Sequence, residues 1–151
     1  MAPPHDPDRV KRAKQFIEAI PYSRALGMQV EEIGDGRAVI SMPYSEQLVG
    51  DPRTGVLHGG VVSALMDTCG GGAVVCHPRS GAPTATIDLR IDYMRPARPG
   101  ERLTAEAICY HVTRSVAFVR ATAWDADKDR PVAAVTGAFT FEMSNFGEGG
   151  Q

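Results

Sequence analysis

Cysteine, net charge and long apolar runs are all scarce in this sequence. Its three cysteines, Cys69, Cys76 and Cys109, are an odd number without the spacing of a disulfide framework. Free thiols indicate a reducing compartment, so we expect a cytoplasmic protein. The formal net charge of -2 argues against a nucleic-acid partner. Residues 61–76 are too glycine-rich and too short to span a bilayer, and residues 1–8 lack the pattern of a secretory signal.

The composition is that of one globular domain. Hydrophobic residues make up 43% of the 151 residues and charged residues 23%, which suits a core built without disulfides or metal. No internal repeat or long linker divides the chain. We predict a single domain over residues 22–143, an N-terminal helix within residues 1–21 of the same domain, and a flexible tail over residues 144–151. Asp6 followed by Pro7 has the pattern of a helix start.

The remaining elements are strands and one apolar helix. Gly34-Asp35-Gly36 between two apolar runs predicts a hairpin. A polar loop up to residue 58 leads to a helix over residues 59–77. Four strands follow, predicted from period-two patterning and turn residues: Thr86–Tyr93, Arg102–Val112, Ser115–Trp124 and Val132–Glu142. This order predicts an α+β fold in which an antiparallel sheet wraps around a central helix.

Asp67 stands out within the apolar helix. It is the only formally charged residue between Arg53 and Arg79, and apolar residues surround it on nearly every side of a helical wheel. A helix of this kind is expected to be buried, and a buried carboxylate must be paired or must serve a function. The alternatives are that Asp67 lies on a narrow exposed stripe or is a neutral, hydrogen-bonded acid of the core.

The helix begins with His58-Gly59-Gly60. Two residues without side chains leave the unpaired N–H groups of a helix start accessible, at the positive end of the helix dipole. A substrate carbonyl can approach such amides closely, which is the construction of an oxyanion hole for acyl transfer. The alternative is a glycine pair required by a turn or by tight packing between helix and sheet.

The spacing between Gly60 and Asp67 bears on assembly. Seven residues place them on one helix face but about 10 Å apart along the axis. One substrate carbonyl cannot contact the Gly60 amide and also meet water activated by Asp67 of the same chain. We therefore expect a homodimer, in which an antiparallel copy of the helix brings the partner's Gly60 beside Asp67.

Two segments together carry a family resemblance. The strings Gly55-Val56-Leu57-His58-Gly59-Gly60 and Leu65-Met66-Asp67, with the strand that runs from Thr86 to Ala97, resemble hotdog-fold acyl-CoA thioesterases of the phenylacetate-pathway branch. The similarity in element order runs from about residue 22 to residue 142. The resemblance implies the hotdog fold and a thioesterase activity.

The resemblance also implies roles for individual residues. Asp67 would be the general base or the nucleophile, and the Gly60 N–H of the partner subunit would polarise the thioester carbonyl. His58 would help to place that carbonyl, and Thr86 would position the attacking water. The branch commonly has a polar residue six positions before the histidine, where this chain has Pro52. Whether Asp51 or Gln47 takes over that role stays open.

Other residues are assigned more loosely to the substrate. Gly59 belongs to the helix start that receives the carbonyl, while Arg95 and Arg114 lie near strand ends, where guanidinium groups suit the phosphates of coenzyme A. The three glycines Gly70–Gly72 predict either close approach of the sheet or space for an acyl chain, and otherwise a kink. Two further alternatives are a nucleophilic Cys69 and a metal site formed by Cys69, Cys76 and His77.

The expected activity is hydrolysis of an acyl-CoA or aryl-CoA thioester to free coenzyme A and a carboxylic acid. No metal and no redox cofactor is expected, since coenzyme A is part of the substrate. The expected assembly is a homodimer with shared active sites, paired into a homotetramer. The alternatives are a hotdog hydratase or dehydratase, which would need an acid/base histidine, and a non-catalytic acyl-CoA-binding module.

Overall fold

Two helices open the part of the chain that the computed structural model describes, residues 6–143. Helix α1 spans Pro7–Ala19 and helix α2 spans Pro21–Ala25. The predicted start of α1 is confirmed, because the Asp6 carboxylate accepts a hydrogen bond of 3.0 Å from the Asp8 N–H. The sequence did not predict α2. The predicted tail over residues 144–151 lies outside the described residues.

Eight strands and one long helix make up the rest of the domain. The strands are β1 Gln29–Gly34, β2 Arg37–Met42, β3 Val49–Asp51, β4 Val56–Leu57, β5 Thr86–Tyr93, β6 Leu103–Val112, β7 Val116–Trp124 and β8 Ala133–Thr140. Six of them form one antiparallel sheet in the order β1-β2-β6-β7-β8-β5. The long helix, α3, spans Gly59–Val75 and packs on this sheet. The predicted fold class is confirmed.

The segment before α3 is more ordered than the predicted polar loop. It contains a short 3-10 helix, Glu46–Leu48, and the two strands β3 and β4, which pair antiparallel apart from the main sheet. Leu57 of β4 is buried in the core. Two- and three-residue strands carry too few side chains to show a period of two, so the sequence does not reveal them.

Helix α3 buries one broad face and leaves a stripe open. Its buried residues, which include Leu65, Met66 and Cys69, pack against the sheet beside Ile40 and Val119. The residues Gly59, Gly60, Ser63, Ala64 and Asp67 form the open stripe, which is exposed or half-buried. The prediction that the helix is buried on all sides is therefore wrong for the single chain. Small and polar residues on the stripe explain the difference, since they leave little apolar surface to cover.

Two of the three consecutive glycines let α3 approach its neighbours closely. A Cβ atom at Gly70 would lie 2.9 Å from the Phe139 ring, and one at Gly72 would lie 3.0 Å from Ile17 Cδ1. Close approach to the sheet and to α1 thus accounts for these two positions. None of the helices within residues 6–143 is long and apolar enough to cross a membrane.

The two edges of the large sheet differ in their cover. Edge strand β1 is covered by α1, whose Glu18 carboxylate accepts a hydrogen bond of 3.3 Å from the Val30 N–H. Edge strand β5 is eight residues long and carries exposed Ile87 and Tyr93, at 56% and 54% of their full accessibility. An edge of this length with apolar side chains is a surface on which a further strand can pair.

Candidate active site

The site is centred on a carboxylate and a hydroxyl from different elements. Asp67 lies on the open stripe of α3, and Thr86 is the first residue of β5. The Thr86 hydroxyl donates a hydrogen bond of 2.6 Å to Oδ1 of Asp67. No residue within 6–143 donates to Oδ2 of Asp67. One carboxylate oxygen is therefore held in place while the other is available to a water molecule.

A bulge in β5 turns Thr86 towards the helix. Thr86 lies opposite Phe139 of β8 and Asp88 lies opposite Ala138, so Ile87 is an extra residue in the ladder. Strict alternation would place Thr86 on the same face as Asp88, away from α3. The extra residue reverses the alternation at this end of the strand and brings the hydroxyl to the carboxylate.

The N-cap residue of α3, His58, binds one of the free N–H groups at the start of the helix. Nδ1 of His58 accepts a hydrogen bond of 2.9 Å from the Gly60 N–H. The Gly59 N–H has no acceptor among the residues that the structure describes. The Tyr93 hydroxyl donates a hydrogen bond of 3.1 Å to the Gly59 carbonyl and so ties the far end of β5 to the helix start. Of the two predicted amides, Gly59 is unpaired and Gly60 is paired with the imidazole.

A shallow cavity joins the two halves of the site. It has a volume of about 410 Å³ and runs along the open stripe from Gly60 to Asp67 and Thr86, with Tyr22 and Ser63 in its wall. Tyr22 comes from α2 and had no role in the sequence analysis. A tyrosine directly after a predicted helix end carries no signal that places it here.

Arg95 has protein partners for its guanidinium group. It donates to the two carboxylate oxygens of Asp125 at 2.6 and 2.8 Å and to the carbonyl of Arg130. The hydrogen bonds from Arg95 hold the pKa of Asp125 well below its ordinary value. Binding of a phosphate by Arg95 would require this pair to open. Arg114 is exposed in the turn between β6 and β7, so its predicted role stays a prediction.

Asp51 and Gln47 are the two polar residues that could replace the one expected at Pro52. The carboxylate of Asp51 accepts hydrogen bonds from the backbone and side chain of Arg53, at 3.0 and 3.2 Å. Gln47, by contrast, lines a cavity of about 500 Å³ together with His58 and Gly60. Of the two substitutes left open by the sequence, Gln47 is the one beside the helix start.

The cysteines are thiols of the core. Burial raises the pKa of Cys69 to about 12 and that of Cys109 to about 11, so both stay protonated near neutral pH. Cys69 donates from Sγ to the carbonyl of Ala38 at 3.3 Å. A nucleophilic Cys69 is therefore ruled out. Within residues 6–143 no group of three or more His, Cys, Asp or Glu side chains could hold a metal ion, so Cys76 is not part of such a group.

Comparison with known proteins finds a matching family model and a similar protein, and both are described as thioesterases. A family model described as the thioesterase superfamily matches residues 54–132, a range that includes Asp67 and Thr86. The medium/long-chain acyl-CoA thioesterase YigI of Escherichia coli strain K12 is 32% identical over 120 residues, covering 71% of this chain and 77% of that protein.

Solved structures extend the likeness to the whole domain. The crystal structure of a Pseudomonas aeruginosa protein is 39% identical with a TM-score of 0.77, over 87% of this chain and 98% of that one. The phenylacetic acid degradation protein PaaI of Thermus thermophilus is 27% identical with a TM-score of 0.68, over 80% and 98% of the two chains. These likenesses confirm the resemblance that the two sequence segments carry.

Proposed function

The chain belongs to the thioesterase superfamily, and from this membership we propose that it hydrolyses acyl-CoA thioesters to free coenzyme A and a carboxylic acid. The observation that carries the proposal is the Asp67–Thr86 pair on the open stripe, with one carboxylate oxygen held and the other unpaired. Relatives such as YigI are named acyl-CoA thioesterases, which supports the same substrate class.

Asp67 acts in this proposal as a general base. Oδ2 takes a proton from a water molecule while the water oxygen attacks the thioester carbonyl carbon. The Thr86 hydroxyl keeps its proton and donates a hydrogen bond to Oδ1, so its oxygen has lone pairs left to accept a hydrogen bond from the same water. When the C–S bond breaks, the thiolate of coenzyme A leaves and receives the proton from Asp67.

Backbone amides at the start of a second α3 stabilise the carbonyl oxygen as it becomes negative. Gly60 is the predicted donor, and its N–H becomes available when the His58 imidazole turns away or gives its place to the substrate oxygen. The Gly59 N–H is the neighbouring donor without an acceptor in residues 6–143. Both amides lie at the positive end of the helix dipole, where an oxyanion is favoured.

The surface for the second copy consists of the open stripe of α3 and the exposed edge of β5. Ile87, Tyr93 and Met94 on this edge retain more than half of their accessible surface. Pairing of β5 with its symmetry mate would cover these side chains and set two α3 helices antiparallel. The homodimer proposed here therefore completes each active site with groups from both chains, and a pair of such dimers would give the predicted homotetramer.

A thiol-release assay tests the proposed activity. Purified protein is incubated with straight-chain acyl-CoAs from acetyl-CoA to palmitoyl-CoA and with phenylacetyl-CoA, and free coenzyme A is measured with a thiol reagent. We expect enzyme-dependent release with a kcat of roughly 1 per second or more on the preferred substrate. Two parallel measurements separate the alternatives. Loss of the enoyl absorbance of crotonyl-CoA without thiol release would indicate the hydratase, and calorimetric binding of an acyl-CoA without turnover would indicate the binding module.

Mixing two inactive variants tests whether the sites are shared. We expect Asp67→Asn and Gly60→Val to regain activity after subunit exchange, up to about half of the wild-type value per heterodimer. One site of the heterodimer then carries both lesions and the other carries neither. A Cβ at Gly60 would lie 2.9 Å from Nδ1 of His58, so the valine disturbs the amide and the imidazole together.

The control for this experiment is native mass spectrometry, which shows that heterodimers have formed, with circular dichroism to show that both variants are folded. If verified heterodimers stay inactive, each site lies within a single chain, and the assignment of the carbonyl-binding amide to the partner subunit is wrong.

A further inference from the structure

A second cavity lies next to the shallow one on the open stripe and shares Tyr22, Asp67 and Thr86 with it. It has a volume of about 300 Å³. Its other walls come from α1, from the second half of α3, from residues 83–85 and from β8. Among the described residues that line it, Asp67 is the only charged one.

The walls of this cavity are apolar. The apolar side chains in the lining include Phe16 and Ile17 of α1, Ile20 between α1 and α2, Val75 of α3 and Phe139 of β8. Phe16, which lines the cavity, keeps 57% of its surface accessible although it is a large apolar residue. A concave apolar space with a few polar groups at one end is the usual form of a site for a small apolar ligand.

Gly71 and Gly72 both line this space, but of the two only Gly71 has room for a side chain. A Cβ atom there would find Phe139 Cε1 at 3.8 Å and Thr84 Cγ2 at 3.9 Å, which are ordinary contacts. The same atom at Gly70 or Gly72 would come within 3.0 Å of a neighbouring side chain. Tight packing thus explains two of the glycines but leaves Gly71 unexplained.

We propose that this cavity holds the acyl chain of the substrate and that Gly71 sets the length of chain that fits. The proposal rests on the proposed thioesterase activity, since it places the thioester carbon beside Asp67 with its chain directed past Gly71. A methylene takes up about as much space as a water molecule, about 30 Å³, so the 300 Å³ cavity holds about ten carbons. The substrate class is therefore a straight-chain acyl-CoA of medium length.

The test is the chain-length profile of kcat/KM for the wild type and for Gly71→Leu. In the wild type, kcat/KM should rise by about fourfold for each methylene that enters the cavity and level off near decanoyl-CoA. In Gly71→Leu the leucine side chain fills about four carbons of the space, so kcat/KM on decanoyl-CoA should fall by about 250-fold. Butanoyl-CoA ends short of Gly71 and should be hydrolysed within about threefold of the wild-type rate.

Gly71→Ala is the second variant, and it is expected to fold even if Gly71→Leu does not. Its Cβ makes only ordinary contacts, and alanine is a better helix former than glycine. It should shorten the preferred chain by about one carbon and lower kcat/KM on decanoyl-CoA by about fourfold.

Two outcomes separate this proposal from the activity on which it rests. Equal losses on butanoyl-CoA and decanoyl-CoA, or no loss on either, would overturn the placement of the acyl chain while leaving the thioesterase activity intact. A wild-type protein that releases coenzyme A from no member of the series would instead overturn the proposed function itself.

Discussion

Replacement of Asp67 by asparagine is expected to lower turnover by at least about a hundredfold, the usual scale for loss of a general base. Asparagine keeps the size of the side chain and can still accept the hydrogen bond that Thr86 makes to Oδ1 at 2.6 Å. It cannot take a proton from water. The effect should therefore fall on kcat, measured by thiol release at saturating acyl-CoA, while KM changes little.

Asp129→Asn is the matched control for this prediction. Asp129 is exposed in the turn between β7 and β8, at the end of β8 away from Phe139 and Thr86. The same loss of one carboxylate charge there should leave turnover within about twofold, because the side chain is solvated and its charge is screened from the site. If Asp67→Asn retained activity within a few-fold of wild type while folded, Asp67 would not be the base.

Removal of the Asp125 side chain is expected to produce the largest loss of stability. The Asp125 side chain is fully buried and that of Arg95 is 17% exposed, and their closest contact is 2.6 Å. Asp125 also accepts hydrogen bonds from the backbone N–H groups of Arg98 and Asp127, each at 3.1 Å. Asp125→Ala leaves two amides without their acceptor and the Arg95 guanidinium without its counter-charge, so the free energy of unfolding should fall by about 3 kcal/mol or more. Urea unfolding at fixed protein concentration measures this fall in the free energy of unfolding.

The Arg95–Asp125 pair also makes the free energy of unfolding depend on pH in the acidic range. Because Arg95 lowers the pKa of Asp125 in the folded protein, the carboxylate stabilises the fold fully above its unfolded pKa of about 3.9. This contribution is lost as the pH falls through the lower folded value. Asp125→Ala should therefore lose less stability than the wild type between pH 5 and pH 2.

An exposed ion pair provides the comparison. The Arg90–Asp92 pair is 3.4 Å apart, with side chains 74% and 58% exposed. Asp92→Ala should change the free energy of unfolding by about 0.5 kcal/mol or less, since exposed pairs contribute little. If Asp125→Ala lowered the free energy of unfolding by no more than Asp92→Ala does, the buried pair would not be a stabilising contact.

Much of the fold follows from local patterns in the sequence. The cap at Asp6, the glycine hairpin and the bounds of β5 were predictable because each depends on neighbours in the chain. The paired strands β3 and β4 were not, since each is too short for a period to show. The open stripe of α3 was only an alternative to a fully buried helix, because a helical wheel treats small residues as apolar.

The candidate site was predictable in its residues but not in its contacts. The resemblance led to Asp67 and Thr86, yet the alternating pattern of β5 taken alone puts Thr86 on the wrong face, and only the bulge at Ile87 corrects it. The hydrogen bond from Gly60 to His58 depends on a rotamer, and the partner of Arg95 lies 30 residues along the chain. Such contacts are decided by tertiary packing, which one sequence does not display.

The glycines of α3 also have a consequence for the order of folding. Each of Gly70, Gly71 and Gly72 makes the helix less favourable by about 1 kcal/mol relative to alanine, so the segment is a poor helix in isolation. The close contacts of Gly70 with Phe139 and of Gly72 with Ile17 supply the missing stability only after sheet and α1 are in place. We therefore expect the second half of α3 to become ordered late, so that the carboxylate meets its hydroxyl partner only in a chain whose sheet has already formed.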